Sequence, residues 1–259
     1  MKKNIWILTM AFLLPFSGYS CNASDKNTNN ESQPEQKEEN NMPKVYFTKE
    51  ISPEALMKIY QALGREAKGN NVAIKVSTGE PGGNNYLKPA LIGAFVKSVN
   101  GTIIECNTAY GGGRADTESH LKAAKDHGFT DIAKVDIMDA DAEVNLPVTG
   151  GTHITRDIVG KNFLNYDFTV ILSHFKGHAM AGFGGAIKNM SIGIASSHGK
   201  AWIHSAGKTT NQTEVWGNLP PQDDFLETMS EAAKAVADHC GDKIIYINVM
   251  NNLSVDCDC

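Results

Sequence analysis

The chain reads as an α/β protein: a three-layer fold with a mostly parallel sheet and helices on both faces. Three observations lead there. Strand-like and helix-like segments alternate from Pro43 onward. The run Phe168-Thr169-Val170-Ile171-Leu172 has the β-branched, aromatic and aliphatic composition of a strand buried on both sides. Residues 43–259 are also enough chain for one sizeable core.

Taken in order, the chain starts with Lys2 and Lys3, an apolar stretch from Ile5 to Phe16, and the small residues Ser17, Gly18 and Ser20 before Cys21. That is the layout of a secretory signal peptide over residues 1–20, too short for a comfortable membrane span. A cysteine at the start of the mature chain resembles a bacterial lipoprotein signal, with Cys21 acylated, and implies a protein held at a membrane by lipid, periplasmic or on the cell surface. Residues 21–42 are almost wholly polar and cannot bury enough surface to offset their ordering entropy, so a disordered tether is expected there.

The α/β domain is expected over 43–259. Its strand candidates are Val45–Phe47, Asn71–Ser77, Thr102–Cys106, Ala133–Met138, Asp167–Ser173 and Lys243–Val249. Amphipathic helices are expected at Ser52–Ala67, Pro89–Val99, Thr117–Asp126 and Asp224–Cys240, the first two opened by a proline in the first turn. No internal repeat is visible. Of the formal net charge of −5, Lys2 and Lys3 carry +2 and residues 22–42 carry −3, leaving −4 for the domain. Mild acidity without a basic stripe argues against nucleic acid as a partner. The oligomeric state cannot be read from the sequence.

The segment from Ser173 to Asn189 holds two histidines, two lysines and four glycines, directly after the buried strand. In open α/β sheets ligands bind at the carboxyl ends of strands. If the strand runs on, His174, Lys176 and His178 share one face; if a helix begins there, His174 and His178 still do. Gly182, Gly184 and Gly185 permit close backbone approach, and a helix starting near Ala186 would put Lys188 in its first turns, where a cation is out of place unless it meets an anion or a covalent partner. His198 and His204 bring the local histidines to four within thirty-one residues, a set suited to metal ligation and proton transfer. His120, His127, His153 and His239 read as structural. Two further loops follow strands: Thr78 to Tyr86, after the strand holding Lys75, and Asn107 to Arg114. In the second, three glycines can bring amides to an anion and Arg114 offers a bidentate fork, so Arg114 and Lys75 are candidates to grip a small anionic ligand. Cys240 reads as a small buried hydrophobe, whereas Cys257 and Cys259, two residues apart, suit a soft metal or a redox role or else a frayed terminus.

The residues from Asn71 to Cys259, with Val72-Ala73-Ile74-Lys75, the Tyr110 to Arg114 loop and above all His174-Phe175-Lys176-Gly177-His178 through Gly184-Gly185-Ala186-Ile187-Lys188-Asn189, resemble the domain of unknown function numbered 362. Members of that family are uncharacterised, and are described as iron–sulfur centre proteins when a ferredoxin-like segment is attached. This sequence has no Cys-x-x-Cys-x-x-Cys run. The family usually continues past a pair like Cys257 and Cys259, which leaves open a truncation at the C-terminus.

A more remote resemblance is to the amino-terminal domain of nickel-pincer lactate racemase. In that family a His-x-x-(Ala)-Gly-(Phe/Tyr)-Ser-Gly-Gly-x-Lys motif supplies a catalytic histidine and, ten residues on, the lysine that bonds to the pincer cofactor, while a later histidine binds nickel. Here His178 stands ten residues before Lys188, and His204 sixteen after it. The resemblance implies His178 as acid/base, Lys188 as cofactor anchor and His204 as metal ligand, with His174 a second proton-transfer group. The expected function is an exported lipoprotein holding a transition metal or metal-containing cofactor, nickel-pincer-like or iron–sulfur, at His174, His178, Lys188 and His204. It would carry out proton or hydride transfer on a small hydroxy acid or similar anion. The alternatives are a non-catalytic lipoprotein that captures a metal or anion, and a redox protein centred on Cys257 and Cys259.

Overall fold

The computed structural model describes residues 43–253. Outside these lie the signal segment 1–20, Cys21, the tether 21–42, and Cys257 and Cys259. The strands are β1 (Val72–Lys75), β2 (Gly101–Glu105), β3 (Val135–Ile137), β4 (Glu143–Pro147), β5 (Arg156–Gly160), β6 (Phe168–His174), β7 (Lys176–His178), β8 (Gly182–Gly184) and β9 (Ile244–Val249). The helices are α1 (Pro53–Ala62), α2 (Pro89–Ser98), α3 (Thr117–Asp126), α4 (Ala186–Met190), α5 (Ser197–His204) and α6 (Gln222–Cys240).

Five strands form one sheet in the order β3-β2-β1-β6-β9, and every pair in it is parallel. The chain builds outward from β1 through β2 to β3, then returns to the other side of β1 with β6 and β9. The order therefore reverses between β1 and β6, and that reversal opens a crevice at their carboxyl ends. Alternation along the strands divides two cores. Val72, Ile74, Val170 and Leu172 pack with Leu56 of α1 and Ile92, Phe95 and Val96 of α2. Ala73, Ile104 and Ile171 pack with Ile203 of α5 and Phe225, Met229 and Val236 of α6 on the opposite face. This is the expected three-layer α/β arrangement with helices on both sides.

Local chemistry sets the helix starts. Ser52 Oγ accepts from Ala55 N at 3.1 Å and Pro53 opens the first turn of α1. Asp116 caps α3 by accepting from Ser119 N at 3.0 Å. Helix α1 stops at Ala62, short of the expected Ala67, because the chain turns at Gly64 with φ +63°. Val45–Phe47 is not a strand: among the described residues it pairs with nothing, and Val45 and Phe47 are strongly exposed.

Three features were not expected from the sequence: one strand pair, one helix and one hairpin. Strands β4 and β5 form an antiparallel pair outside the main sheet. Helix α5 is capped by Ser196, whose Oγ accepts from Gly199 N at 3.0 Å. The chain after β6 neither runs on as the same strand nor begins a helix, but folds into the antiparallel hairpin β7–β8. Among the described residues no helix is long and apolar enough to cross a membrane.

Candidate functional site

The crevice at the carboxyl ends of β1 and β6 is a cavity of about 330 Å³. Its floor is built from strand ends, and the β7–β8 hairpin with the start of α4 forms its rim. Five cations, Lys75, Arg114, Lys176, Lys188 and Lys200, line it together with His174, His178 and His204, against the two carboxylates Glu80 and Glu105.

The floor is a closed charge network. Lys75 is buried, and its Nζ donates to Glu105 Oε2 at 2.6 Å, Val76 O at 2.6 Å and Asn189 Oδ1 at 3.1 Å, which uses all three of its protons. Glu105 also accepts from Thr78 N at 2.9 Å and from Arg114 Nη1 at 3.4 Å. Burial alone would raise the Glu105 carboxyl, but Lys75, His120 and Arg114 outweigh it and bring it down to about 2. Arg114 Nε and Nη2 both donate to Glu80 Oε1, at 2.9 and 2.6 Å. Lys75 and Arg114, the residues expected to grip an anion, line the cavity with their charges already met by Glu105 and Glu80. Gly113, beside Arg114, serves loop packing: a Cβ there would lie 2.3 Å from Pro81 Cγ, so that close approach of the two loops requires glycine.

Lys188, in the short helix α4, differs from the floor cations. Its ammonium has no hydrogen bond or carboxylate partner among the described residues. Burial pushes it down to about 8, and Lys176, Lys75, Arg114 and Lys200 add to that shift. Burial likewise lowers Lys176 to about 8, with Arg114 contributing. Lys200 is buried and donates to Ala195 O at 2.6 Å. The first amide of α4 is occupied, since Ala186 N donates to Asn248 Oδ1 at 3.0 Å. Gly184 and Gly185 line the cavity, whereas Gly182 sits exposed in the hairpin turn with φ +72°.

The histidines divide by what their nitrogens already do. His178 Nδ1 accepts from Met180 N at 3.2 Å and Ala181 N at 3.0 Å, which assigns the neutral ring its proton on Nε2. His204 takes the opposite tautomer: Nδ1 donates to Lys200 O at 2.8 Å, which leaves the lone pair on Nε2, and the Tyr110 hydroxyl lies over that edge of the ring, 2.7 Å from Nδ1 and 3.1 Å from Nε2. Burial lowers both rings to about 4, with Lys188 adding to each shift, so both are neutral at pH 7. His174 has both nitrogens turned to carbonyls, those of Asn85 and Asn251. His198 does not join the others; it pairs at the surface with Glu143 at 3.1 Å. His120 is fully buried under the floor, between Thr78 Oγ1 and Asn107 Oδ1.

Among the described residues no three of His, Cys, Asp and Glu gather as a metal-holding group. Cys106 lines the cavity with its thiol pushed up by burial and donating to Ile194 O at 3.2 Å. Glu80, Glu105, Tyr110, Asn189 and Lys200 are parts of the site whose side chains sequence reasoning did not single out. Glu105 had a signal, since a carboxylate at the end of a buried strand needs a partner.

Fold and site together define an open, parallel α/β protein with a cationic crevice at its topological switch point. The chain belongs to the family described as Domain of unknown function (DUF362), whose model matches residues 72–259. Among solved structures it is similar to the lactate racemase apoprotein from Thermoanaerobacterium thermosaccharolyticum, at 20% identity and a TM-score of 0.45 over 72% of this chain. The match spans 47% of that chain, about half its length. No curated protein matches the sequence.

Proposed function

We propose that this crevice binds a small carboxylate-bearing anion, with Lys188 as its principal electrostatic contact. The observation that supports this most directly is a desolvated ammonium with no counter-charge among the described residues, surrounded by other cations, beside Lys75 and Arg114 of the floor, which are both paired. An arrangement so self-repelling is relieved by an anion. His178 Nε2–H is a neutral donor suited to a ligand oxygen, and Lys176, lowered to about 8, is an ammonium that can also give up a proton near neutral pH. Titration calorimetry with acetate and glycolate tests the reading. Heat that disappears in Lys188→Met supports it, and identical isotherms for both proteins overturn it.

The racemase-like motif favours an enzyme acting on a hydroxy acid, with a metal-containing cofactor at the same place. The residues fit such a group in part. Lys188 offers an unpartnered amine, and His204 carries its proton on Nδ1, which leaves Nε2 as the ligating atom once Tyr110 withdraws. His178 fits poorly as a metal ligand, because ligation through Nε2 would put its proton on Nδ1 and break both backbone bonds. When bound, the group would supply hydride-acceptor chemistry at a carbon bearing a hydroxyl. The chain's own part in that reading is to anchor the group at Lys188 and direct the His178 donor at the substrate oxygen. Racemisation of a hydroxy acid by protein from its own host separates this enzyme from a non-catalytic capture protein, which binds without turnover.

We further propose export and lipid anchoring through Cys21. Detergent-phase partitioning that is lost in Cys21→Ala supports the anchor, and equal partitioning of both proteins removes it.

A further inference from the structure

We infer that the Arg114 guanidinium is a second anion subsite of the same crevice, filled by the chain's own Glu80 until a ligand displaces it, and that the ligand is a small dianion such as a dicarboxylate. This rests on the anion-binding reading above. It adds the ligand's charge and names the residue that gives way.

The two carboxylates on Arg114 are unlike. Glu105 is buried and fixed by Lys75 and by the Thr78 amide as well as by Arg114, so it cannot leave without stranding Lys75. The Glu80 side chain is 32% exposed against 5% for Glu105, and Arg114 is its side chain's sole partner among the described residues. Glu80 lies between Gly79 and Gly82, both at positive φ, +80° and +74°. The Glu80 carboxylate takes two guanidinium protons on one oxygen, leaving Arg114 short of a two-oxygen fork. Glu80, Arg114 and Lys188 line one cavity, and the charge of Arg114 reaches both Lys176 and Lys188.

A ligand carboxylate that replaced Glu80 would exchange like for like at Arg114, while the released Glu80, already part-exposed, regained water. A monoanion satisfies Lys188 and leaves Glu80 in place. A dianion reaches both, so its second charge is the feature the site selects.

The test is calorimetry at pH 7 on the mature chain with malonate and acetate, in wild type and Glu80→Gln. Wild type should bind malonate about tenfold tighter than acetate, and Glu80→Gln should tighten malonate by about tenfold while changing acetate less than about threefold. Equal tightening of both probes would mean that Glu80 acts only through the general field, and the inference fails. It also fails if the variant weakens malonate, or if wild type does not prefer malonate. Should Glu80→Gln not fold, the wild-type ratio and Glu80→Asp, whose shorter reach loosens the Arg114 contact, carry the same test. If both probes bind equally and depend on Lys188, this inference falls and the anion site stands. If neither binds, both fall.

Discussion

The floor and the rim of the crevice hold the same kinds of side chain in opposite electrostatic states. On the floor, Lys75 and Arg114 are matched by Glu105 and Glu80, and Lys75 has every proton placed. At the rim, Lys188 is half-buried among cations with no such partner among the described residues, and His178 is held neutral, as is the buried His204 of α5. Breaking a buried pair costs far more than an exposed one, because the survivor keeps its desolvation penalty. The floor is therefore expected to govern folding and Lys188 at the rim the first contact with a ligand, with Arg114 joining only where a second ligand charge displaces Glu80.

The largest expected effect is at the floor. Glu105→Gln leaves Lys75 and Arg114 short of their shared carboxylate and should cost about 3–5 kcal/mol in urea denaturation. A loss under about 1 kcal/mol would break the comparison. Arg114→Ala should also lower the ligand-free melting temperature, in contrast to the purely ligand-gripping role its sequence position implied.

Titration separates the regions next. His120, His178 and His204 are lowered from 6.5 to about 4, so the unfolded chain takes up protons first and stability is lost as pH falls through that window. Glu105, lowered from 4.5 to about 2, contributes stability that is lost only below 4.5. Asp157 opposes the histidines. Burial raises its carboxyl to about 8 against the smaller opposing pulls of the Ile158 amide and Lys200, so the folded state holds a proton the unfolded state has released, and stability falls as pH rises from 3.8 to about 8. Three histidines outweigh one aspartate below 6.5, and Asp157 prevails from there to about 8, which places a local maximum at about pH 6.5; above about 8 Lys176 and Lys188, lowered from 10.5, turn the curve upward again. Denaturation midpoints across pH 3 to 9 give the curve. Asp157→Asn should flatten its fall between 6.5 and 8, and a persistent fall in that variant would reassign the alkaline limb.

At the rim, Lys188→Met should leave ligand-free stability unchanged or higher, since it removes an unpaired buried charge, yet weaken carboxylate binding by about 1.5–3 kcal/mol. Thermal melts with and without acetate measure both at once. A marked fall in the ligand-free melt would make Lys188 a second floor residue. The smallest effect is Tyr110→Phe, which removes the hydroxyl facing His204 and should cost about 0.5–1.5 kcal/mol. Melting of that variant bounds how firmly His204 is covered.

Much of the fold was legible because its signals are local. The apolar run at 168–172, the prolines opening α1 and α2, and the long amphipathic stretch of α6 each identify an element without reference to the rest. Strand β4 was missed because its side chains are mostly exposed and Pro147 reads as a breaker, and β5 because Arg156, Asp157 and Gly160 leave only Ile158 and Val159 as an apolar signal, although the strand is mostly buried. In the site, His174, His178, Lys188 and His204 announced themselves by density and composition. Their protonation states did not, for the His178 tautomer follows from two backbone amides in a hairpin whose shape the glycine-rich sequence leaves open. Nor did the pairing of Lys75 with Glu105, thirty residues on, or of Arg114 with Glu80, because parallel neighbours are far apart along the chain.

Asn189 stands next to Lys188 in the chain and does something different. Its amide donates to Lys75 O at 3.1 Å and Ser173 Oγ at 3.0 Å, while its oxygen receives Lys75 Nζ, so this one side chain stitches β1 to β6 where the sheet reverses. A ligand that pulls on Lys188 therefore pulls on the seam. Occupancy of the crevice should be felt as stiffness in the central strands, and slower amide exchange in β1 and β6 would register a bound anion from inside the sheet rather than at its mouth.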